Sequence, residues 1–416
     1  IRANGEFMAL KANAIVGQSG GPTAAINATL SGVIRASHAS NKIEKLYGMK
    51  NGIEGLLDGK ITDLSYLFGD EKSLYTLEST PACALGSCRK KLPACTESEE
   101  IYKKILGRLK SFNIRYLFYI GGNDSMDTVK KLSDYFQAIN FEIRVIGIPK
   151  TIDNDLCGTD HTPGYGSAAK LVVTAMHEIS ADCAVYSADA VTIVEIMGRD
   201  TGWLTSAAAL PKYYTGTGVD LIYLPESPFS SERFLRDVKE ELTTHPNVLV
   251  AVSEGIKYEN GVYASMGVRD GLADDFGHAS LSGAAKNLEA LVRRQIGCKV
   301  RSVELNITQR CSSHVASKTD IDESVAVGAY AVKAATDGQT GKMVSILRKG
   351  ADVYEIALNL VDAERVANNV KAVPTEFINE RKNGVAPTLI EYISPLILGE
   401  RVIEYKNGIP VHLTIK

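Results

Sequence analysis

Six short apolar runs, each ending at a polar or glycine-containing loop, limit most strongly how this chain can fold. The runs lie within residues 13–21, 114–125, 143–155, 191–200, 221–229 and 247–255. Their apolar residues are continuous rather than alternating, which is typical of strands buried on both faces. Between them, residues 24–37, 98–112, 125–139 and 166–180 repeat apolar side chains at helical spacing. This order of strand, loop and helix predicts an α/β fold with doubly wound parallel sheets.

The number of these units exceeds what one ordinary sheet holds. We therefore expect two doubly wound, Rossmann-like lobes that face each other across a cleft, with a helical C-terminal extension. The predicted lobes are residues 8–164, completed by part of 310–370, and residues 165–309, completed by part of 371–416. Residues 1–7, before Met8, read as an expression-tag remnant, because they lack the apolar centre of a targeting signal.

Charge and composition argue against several classes of partner. The chain has 46 basic and 49 acidic residues, so it has no excess of positive charge for nucleic acid. No apolar run approaches the length of a membrane span. The seven cysteines are an odd number, form no CxxC pair and are accompanied by no signal-peptide pattern, so we expect reduced thiols in a cytoplasmic protein. The seven histidines lack HExxH spacing, which argues against a zinc site.

Two glycine loops follow predicted strands. Gly20 and Gly21 lie between a strand and a helix, where backbone N–H groups can hold a phosphate, although a tight turn without a ligand would look the same. The second loop, "GGNDS" at 121–125, places Asp124 where a phosphate would favour a neutral residue. Asp124 could instead cap the following helix. Two such loops together favour phosphate binding.

Charged residues follow the other strands. Asp153 and Asp155 alternate along an extended segment and should project to one side, where they can meet a substrate hydroxyl and a metal-bound phosphate; a solvated turn could carry the same letters. Arg89 is a candidate phosphate clamp or a surface residue. Glu254 and the "MGRD" loop that contains Arg199 suit sugar hydroxyls, although either alone could be structural.

Taken in order, the segments "SGG", "GSCR", "GGNDS", "PKTIDND", "MGR", "SEG" and "TQR" resemble the phosphofructokinase family over nearly the whole chain. Asp124 and Lys150 stand where ATP-using members have glycines, and this pair resembles the pyrophosphate-dependent branch. The resemblance implies a Mg²⁺-dependent cytoplasmic enzyme, a homo-oligomer (dimer or tetramer), that reversibly transfers a phosphoryl group from pyrophosphate to the 1-hydroxyl of fructose 6-phosphate.

Two alternatives remain open on the residues. One is an ATP-dependent 6-phosphofructokinase, and the other is a non-catalytic regulatory subunit that binds sugar phosphates. An inactive subunit would have no need to keep Asp153 together with Lys150. An oxidoreductase is excluded by the lack of a GxGxxG motif followed by a ribose-binding acid.

The resemblance also implies a role for individual residues. Asp153 matches the general base, Lys150 would neutralise charge on the transferred group, and Asp124 would select the donor. The first lobe would bind the donor and the second lobe the sugar phosphate. The implied donor contacts are Gly20, Arg89, Gly122 and Ser125; the implied sugar-phosphate contacts are Thr151, Asp153, Asp155, Met197, Gly198, Arg199, Glu254, Arg301 and Arg310; the implied metal residue is Asn123.

Several positions depart from the family pattern. Asn123 replaces an aspartate that is linked to the metal in the family, so we expect magnesium to be held mainly through phosphate oxygens, water and a neighbouring carboxylate. Ala190 replaces a basic residue that reaches the sugar phosphate of an adjacent subunit in many relatives. Ile307 and the pair Asp200 and Thr201 also differ from the usual pattern.

Overall fold

The computed structural model describes residues 11–266, 283–350 and 353–415. The predicted tag remnant at 1–7 lies outside these residues. Over the described part of the chain the strands are β1 (Ala12–Gln18), β2 (Ile43–Met49), β3 (Ile61–Asp63), β4 (Ile114–Gly121), β5 (Arg144–Pro149), β6 (Ala190–Ile196), β7 (Leu221–Tyr223), β8 (Asn247–Ser253), β9 (Lys299–Glu304), β10 (Lys342–Lys349), β11 (Glu355–Asp362), β12 (Tyr405–Lys406) and β13 (Ile409–Pro410).

The helices alternate with these strands for most of the chain. They are α1 (Ile26–Ala39), α2 (Gly52–Asp58), α3 (Glu71–Glu78), α4 (Glu99–Ser111), α5 (Asn123–Ala138), α6 (Tyr165–Cys183), α7 (Trp203–Ser206), α8 (Leu210–Thr215), α9 (Ser231–Leu242), α10 (Ala284–Gln295), α11 (Thr308–Cys311), α12 (Lys318–Thr336), α13 (Ala363–Val366) and α14 (Pro387–Ile393). The six predicted strands and the four predicted helices are all present.

The larger sheet has seven strands in the order β11-β10-β5-β4-β1-β2-β3. Strands β1, β2, β4, β5 and β10 are parallel, and the order reverses between β1 and β4. In a doubly wound sheet this reversal opens a crevice beyond the carboxyl ends of the two strands. Both glycine loops follow these strands, so the topology places them at the ligand-binding edge.

The smaller sheet has four parallel strands in the order β7-β8-β6-β9. Because β6 and β8 are neighbours, the loops that follow them, which carry Arg199 and Glu254, leave the sheet side by side. The two sheets confirm the predicted fold class.

The larger sheet is not wholly parallel, which the sequence patterns did not predict. β3 pairs antiparallel with β2, and β11 pairs antiparallel with β10. Only residues 350–354 separate β10 from β11. That connection is too short for the crossover that a parallel pair requires, which is consistent with the antiparallel pairing of the two strands.

Each sheet is buried on both faces. In the larger sheet Val16 and Phe118 pack with α1 and α12 on one face, while Ile15 and Leu117 pack with α4 and α5 on the other. In the smaller sheet Val194 packs with α6 and α14, whereas Ile193 packs with α9 and α10. The two residues lie on opposite faces because successive side chains of a strand alternate between faces. Burial of each such side chain contributes about 1.5–3 kcal/mol. These cores fix the strand ends that carry the polar loops.

The C-terminal part of the chain contacts both cores. Val373, Leu389 and Ile393 pack in the core of the smaller sheet, whereas Leu413 and Ile415 pack against the core of the larger sheet. The exact lobe boundaries remain a prediction. No helix in the described residues is long and apolar enough to cross a membrane.

Candidate active site

A cleft lies where the loops from the two sheets meet. Its lining among the described residues is Gly20, Gly21, Pro22, Thr23, Arg89, Gly122, Asn123, Asp124, Ser125, Lys150, Thr151, Ile152, Asp153, Asp155, Met197, Arg199, Asp200, Thr201, Glu254 and Arg310. The structure therefore brings together all the predicted site residues except Gly198 and Arg301.

The first glycine loop is held by the segment that precedes Arg89. The Gly20 N–H donates to the Cys88 carbonyl at 3.0 Å, and the Ser87 hydroxyl donates to the Gly20 carbonyl at 2.6 Å. These two bonds place Arg89 beside the loop, although 69 positions separate it from Gly20 along the chain. A basic side chain next to a loop of backbone N–H groups is suited to bind a phosphate.

Two cations approach the same loop closely. A Cβ atom at Gly20 would lie 3.3 Å from the Lys150 Nζ, and a Cβ atom at Gly21 would lie 3.2 Å from the Arg310 Nη1. Gly20 also has a φ of 76°, in the left-handed region that favours glycine. Glycine at these positions therefore leaves room for both cations beside the loop.

The second glycine loop leads directly into α5. The helix begins at Asn123 after Gly122, and no side chain caps it. Asp124 thus lies in the first turn, lines the cleft, and its Oδ1 is 3.5 Å from the Lys91 Nζ. The capping interpretation of Asp124 is wrong. A carboxylate in the first turn is still favoured by the helix dipole.

Lys150 is a buried cation at the floor of the cleft. Its Nζ donates to the Gly21 carbonyl at 2.6 Å. Burial lowers the pKa of Lys150 to about 8, and the negative charge of Asp153 acts in the opposite direction. A lysine that loses solvation in this way is ready to accept an anionic ligand as its partner.

The turn that follows Lys150 carries the two predicted aspartates. Burial raises the pKa of Asp153, while the nearby positive charges of Lys150 and Arg199 oppose that rise. Burial, with repulsion from Asp153, raises the pKa of Asp155 to about 7. The Thr151 hydroxyl accepts the Asp153 N–H at 3.1 Å, which fixes the turn locally. A carboxylate with a raised pKa is better suited to accept a proton than one in water.

The side of the cleft formed by the smaller sheet is built around Glu254. The Gly198 N–H donates to Glu254 Oε1 at 3.2 Å, and the Met197 N–H donates to Gln309 Oε1 at 3.1 Å. Burial raises the pKa of Glu254 to about 7. Gly198 therefore lies next to the cleft lining and contacts it through the hydrogen bond to Glu254.

Arg301 does not reach this cleft. It lies on β9, its side chain is exposed, and its Nη1 is 3.4 Å from Asp182 Oδ2. Ala190 begins β6, at the strand end opposite to the cleft. Ile307 is exposed. A role for Arg301 in sugar-phosphate binding remains a prediction, and it has no contact in this cleft to support it.

Sequence reasoning gave no role to some residues that the structure places at the site. The Thr201 hydroxyl donates to the Asp153 carbonyl at 3.1 Å, and Asp200 lines the cleft with its Oδ1 3.9 Å from the Lys257 Nζ. In the sequence, Asp200 and Thr201 stand out only as departures from the phosphofructokinase family pattern. Thr201 joins a loop of the smaller sheet to the turn that carries the predicted base.

Asn123 fits a weakly held magnesium ion. Its Nδ2 donates to the Asn369 carbonyl at 2.7 Å, while its buried Oδ1 has no hydrogen-bond partner among the described residues. Magnesium prefers oxygen ligands and is commonly bound by one or two protein groups together with substrate phosphates. One neutral amide oxygen is consistent with an ion that binds together with the phosphate donor.

The sequence profile of the family described as Phosphofructokinase matches residues 13–335. The chain belongs to the phosphofructokinase family. This confirms the family that the motifs indicated.

Two relatives and one solved structure illustrate the position of the chain in the phosphofructokinase family. A Halomonas elongata protein named pyrophosphate–fructose 6-phosphate 1-phosphotransferase is 37% identical over 401 residues, which cover 96% of this chain and 94% of that protein. A Methylococcus capsulatus protein of the same name is 35% identical over 408 residues, which cover 97% of this chain and 96% of that protein. The crystal structure of a pyrophosphate-dependent phosphofructokinase from Nitrosospira multiformis matches with a TM-score of 0.87 at 33% identity, covering 96% of this chain and 95% of that one.

Proposed function

We propose that this enzyme reversibly transfers a phosphoryl group from pyrophosphate to the 1-hydroxyl of fructose 6-phosphate, giving fructose 1,6-bisphosphate and phosphate. The observation that carries the proposal is the meeting of Lys150, Asp153 and Asp124 in one cleft. The relatives named for this reaction match over nearly the full chain, which supports pyrophosphate over ATP as the donor.

Asp153 acts as the general base. Its burial raises the pKa of the carboxyl, so the carboxylate gains more from taking a proton than it would in water. It accepts the proton of the 1-hydroxyl while that oxygen attacks the phosphorus of the donor, and the bond to the leaving phosphate breaks in line. In the reverse direction, Asp153 returns the proton to the sugar oxygen.

The cations around the first glycine loop stabilise the charge of the donor. Lys150 approaches Gly20 and donates to the Gly21 carbonyl, and Arg89 follows the segment that is hydrogen-bonded to this loop. Arg310, which the family resemblance assigns to the sugar phosphate, also lies close to Gly21. They are in place before the donor binds, so they need little rearrangement as charge moves to the leaving phosphate. Preorganised charge of this kind supplies much of the rate enhancement in phosphoryl transfer.

Mg²⁺ is the expected cofactor, with Asn123 as its protein ligand on the donor side. When bound, it would neutralise charge on the phosphate oxygens. The neutral Asn123 adds no negative charge beside the donor. We expect the protein to bind magnesium weakly unless pyrophosphate is present.

The sugar phosphate is bound by the smaller-sheet side of the cleft. Glu254 can accept hydrogen bonds from sugar hydroxyls, and Arg199 supplies positive charge. In this proposal residues 8–164, with part of 310–370, form the donor lobe. Residues 165–309, with part of 371–416, form the sugar-phosphate lobe.

Location and assembly extend the same proposal. All seven cysteines are unpaired thiols, which supports a reducing compartment such as the cytoplasm. The homo-oligomer is proposed from the family resemblance. Light scattering of the purified enzyme would measure its assembly, and a monomer at working concentration would contradict that part.

The reaction is tested by ³¹P NMR of the enzyme with pyrophosphate, fructose 6-phosphate and magnesium. Phosphate and fructose 1,6-bisphosphate should appear in equal amounts as pyrophosphate disappears. Omission of the sugar phosphate is the control. Hydrolysis of pyrophosphate at the same rate without the sugar, or no consumption of either substrate, would contradict the proposal.

A further inference from the structure

Lys371 lies behind the turn that carries Asp153 and Asp155, outside the lining of the cleft. Its ammonium group has three acceptors: the Asp160 carbonyl at 2.7 Å, the Thr159 carbonyl at 3.2 Å and Asn154 Oδ1 at 3.3 Å. An ammonium group has three N–H donors, so these contacts use all of them. The residue therefore holds both ends of the segment 154–160.

The backbone of Lys371 makes two further contacts at the same place. Its N–H donates to the Asp155 carbonyl at 2.8 Å, and its carbonyl accepts the Trp203 indole N–H at 2.8 Å. Trp203 begins α7, directly after the loop that contains Arg199 and Thr201. Lys371 thus connects the turn that carries the base with a loop of the sugar-phosphate side.

The surrounding side chains leave this lysine little freedom. The Tyr392 hydroxyl donates to the Asp160 carbonyl at 2.7 Å and accepts the Asn154 Nδ2 at 3.0 Å. Arg348 donates to Asp160 Oδ2 at 3.1 Å, and the Lys371 Nζ lies 5.1 Å from the centre of the Trp203 ring. Loss of the ammonium group would leave buried acceptors unpaired and free the turn to move.

We propose that Lys371 is a positioning residue, which holds the turn of residues 151–155 so that the Asp153 carboxylate meets the 1-hydroxyl of the sugar. The inference rests on the proposed function for the role of Asp153. Lys371 touches neither substrate in this account. Its removal should slow the chemical step far more than it weakens substrate binding, because a small displacement of a base lowers the rate steeply.

The test compares Lys371→Met with the wild type at saturating magnesium. We expect kcat to fall about 10-fold to 100-fold, while the KM values for pyrophosphate and fructose 6-phosphate change by less than about threefold. A kcat within about twofold of the wild type would overturn the proposal. A raised KM with unchanged kcat would also overturn it, since that pattern belongs to a substrate-binding residue.

Lys42→Met is the matched control. The Lys42 Nζ also donates to a backbone carbonyl, that of Thr336 at 2.6 Å, but it lies before β2, at the end of the sheet away from the cleft. Its kcat should equal that of the wild type. An equal fall of kcat in both variants would assign the effect to general stability and reject positioning. If Lys371→Met does not fold, Lys371→Gln, which keeps two N–H donors, is tested against the same criteria.

Hydrogen exchange separates this inference from the proposed function. The amides of residues 151–156 should exchange at least about tenfold faster in Lys371→Met than in the wild type or in Lys42→Met, whatever reaction the enzyme catalyses. Unchanged exchange would overturn the positioning role. Faster exchange in Lys371→Met, together with a wild type that cannot turn over pyrophosphate, would contradict only the proposed reaction.

Discussion

The two sides of the cleft handle charge in opposite ways. On the donor side, Lys150 donates to a glycine-loop carbonyl, and Arg89 follows the segment that is hydrogen-bonded to the same loop. On the sugar-phosphate side, Glu254 accepts a backbone N–H, and burial raises the pKa of its carboxyl to about 7. In the proposed function, Lys150 would present positive charge to the anionic donor, whereas Glu254 would present carboxylate oxygens to sugar hydroxyl groups.

This difference explains why the two sides have different signals in the sequence. Phosphate binding requires close approach to the backbone, so the donor side needs glycines at fixed positions beside strand ends. Binding of hydroxyl groups requires only acceptors at suitable distances, and these come from separate parts of the chain. Local sequence motifs therefore predict the donor-side residues, whereas the sugar-side residues come together only in the folded protein.

The largest effect should come from Asp153, which lies between the two sides. Asp153→Asn keeps the shape of the side chain but removes the base, so turnover should fall about 10²-fold to 10⁴-fold. Calorimetry should show fructose 6-phosphate binding within about threefold of the wild type. Asp134→Asn, an exposed change on α5, is the control and should retain full turnover. Near-normal turnover in Asp153→Asn would remove this residue from the mechanism.

Lys150→Met tests the positive charge of the donor side alone. The buried ammonium contributes charge stabilisation at the donor, so kcat/KM for pyrophosphate should fall about 10²-fold to 10³-fold. The KM for fructose 6-phosphate should change by less than about threefold, because that substrate binds on the other side. Steady-state kinetics with each substrate varied in turn gives both values. An equal loss for both substrates would erase the distinction between the two sides.

Asp124→Gly tests donor choice within the donor side. If the Asp124 carboxylate lies about 4 Å from the α-phosphate of a bound ATP, the repulsion costs roughly 4 kcal/mol at an effective dielectric near 20. That energy corresponds to about a thousandfold discrimination against ATP. Lys91 lies 3.5 Å from Asp124 and offsets part of that repulsion. The variant should therefore gain ATP turnover by between about tenfold and a thousandfold. The paired variant Lys91→Met should reject ATP more strongly than the wild type, and an unchanged donor preference in both variants would refute the repulsion.

Glu254→Gln has the smallest expected effect and concerns stability on the sugar side. The pKa of Glu254 is about 7 in the folded protein and about 4.5 without burial. Between these values the folded state binds more protons than the unfolded state, so stability falls as pH rises from about 4.5 to 7. Glutamine avoids the buried charge. The variant should be about 1–2 kcal/mol more stable than the wild type at pH 8 and nearly equal to it at pH 5.

Chemical unfolding at the two pH values measures this difference. Surface Glu240→Gln, whose carboxylate lies beside Arg381, is the control and should show no gain at pH 8. A pH-independent gain in Glu254→Gln would indicate that packing, rather than the buried charge, sets the stability. Sugar binding should weaken in the same variant, because it loses a charged acceptor.

Local patterns predicted the parts of the fold and site that depend on local physics. Continuous apolar runs predicted the buried strands, and the glycine loops at the ends of β1 and β4 predicted where the cleft opens. The residues from Lys150 to Asp155 were predicted together because they follow one strand. These features need only the strand period and the alignment of parallel strand ends.

Contacts between distant segments could not be predicted in the same way. Lys371 reaches Asn154 across 217 positions of the chain, and no spacing rule connects them. The interpretation of Asp124 as a helix cap failed because α5 begins at Asn123, so the cap position falls on Gly122 and Asp124 lies inside the first turn. The antiparallel β10–β11 pair was not predicted because neither strand was among the six apolar runs, and β10 takes its place in the sheet by pairing with the distant β5. Each of these features is decided by tertiary packing.

Donor choice is tested by comparing kcat/KM for pyrophosphate with kcat/KM for ATP on one preparation, with saturating fructose 6-phosphate and magnesium. The donor-side charges predict that kcat/KM for pyrophosphate exceeds kcat/KM for ATP by about 10²-fold to 10³-fold. This is the size expected for the repulsion at Asp124 after Lys91 offsets part of it. Equal use of the two donors, or a preference for ATP, would contradict the claim that this cleft is built for pyrophosphate.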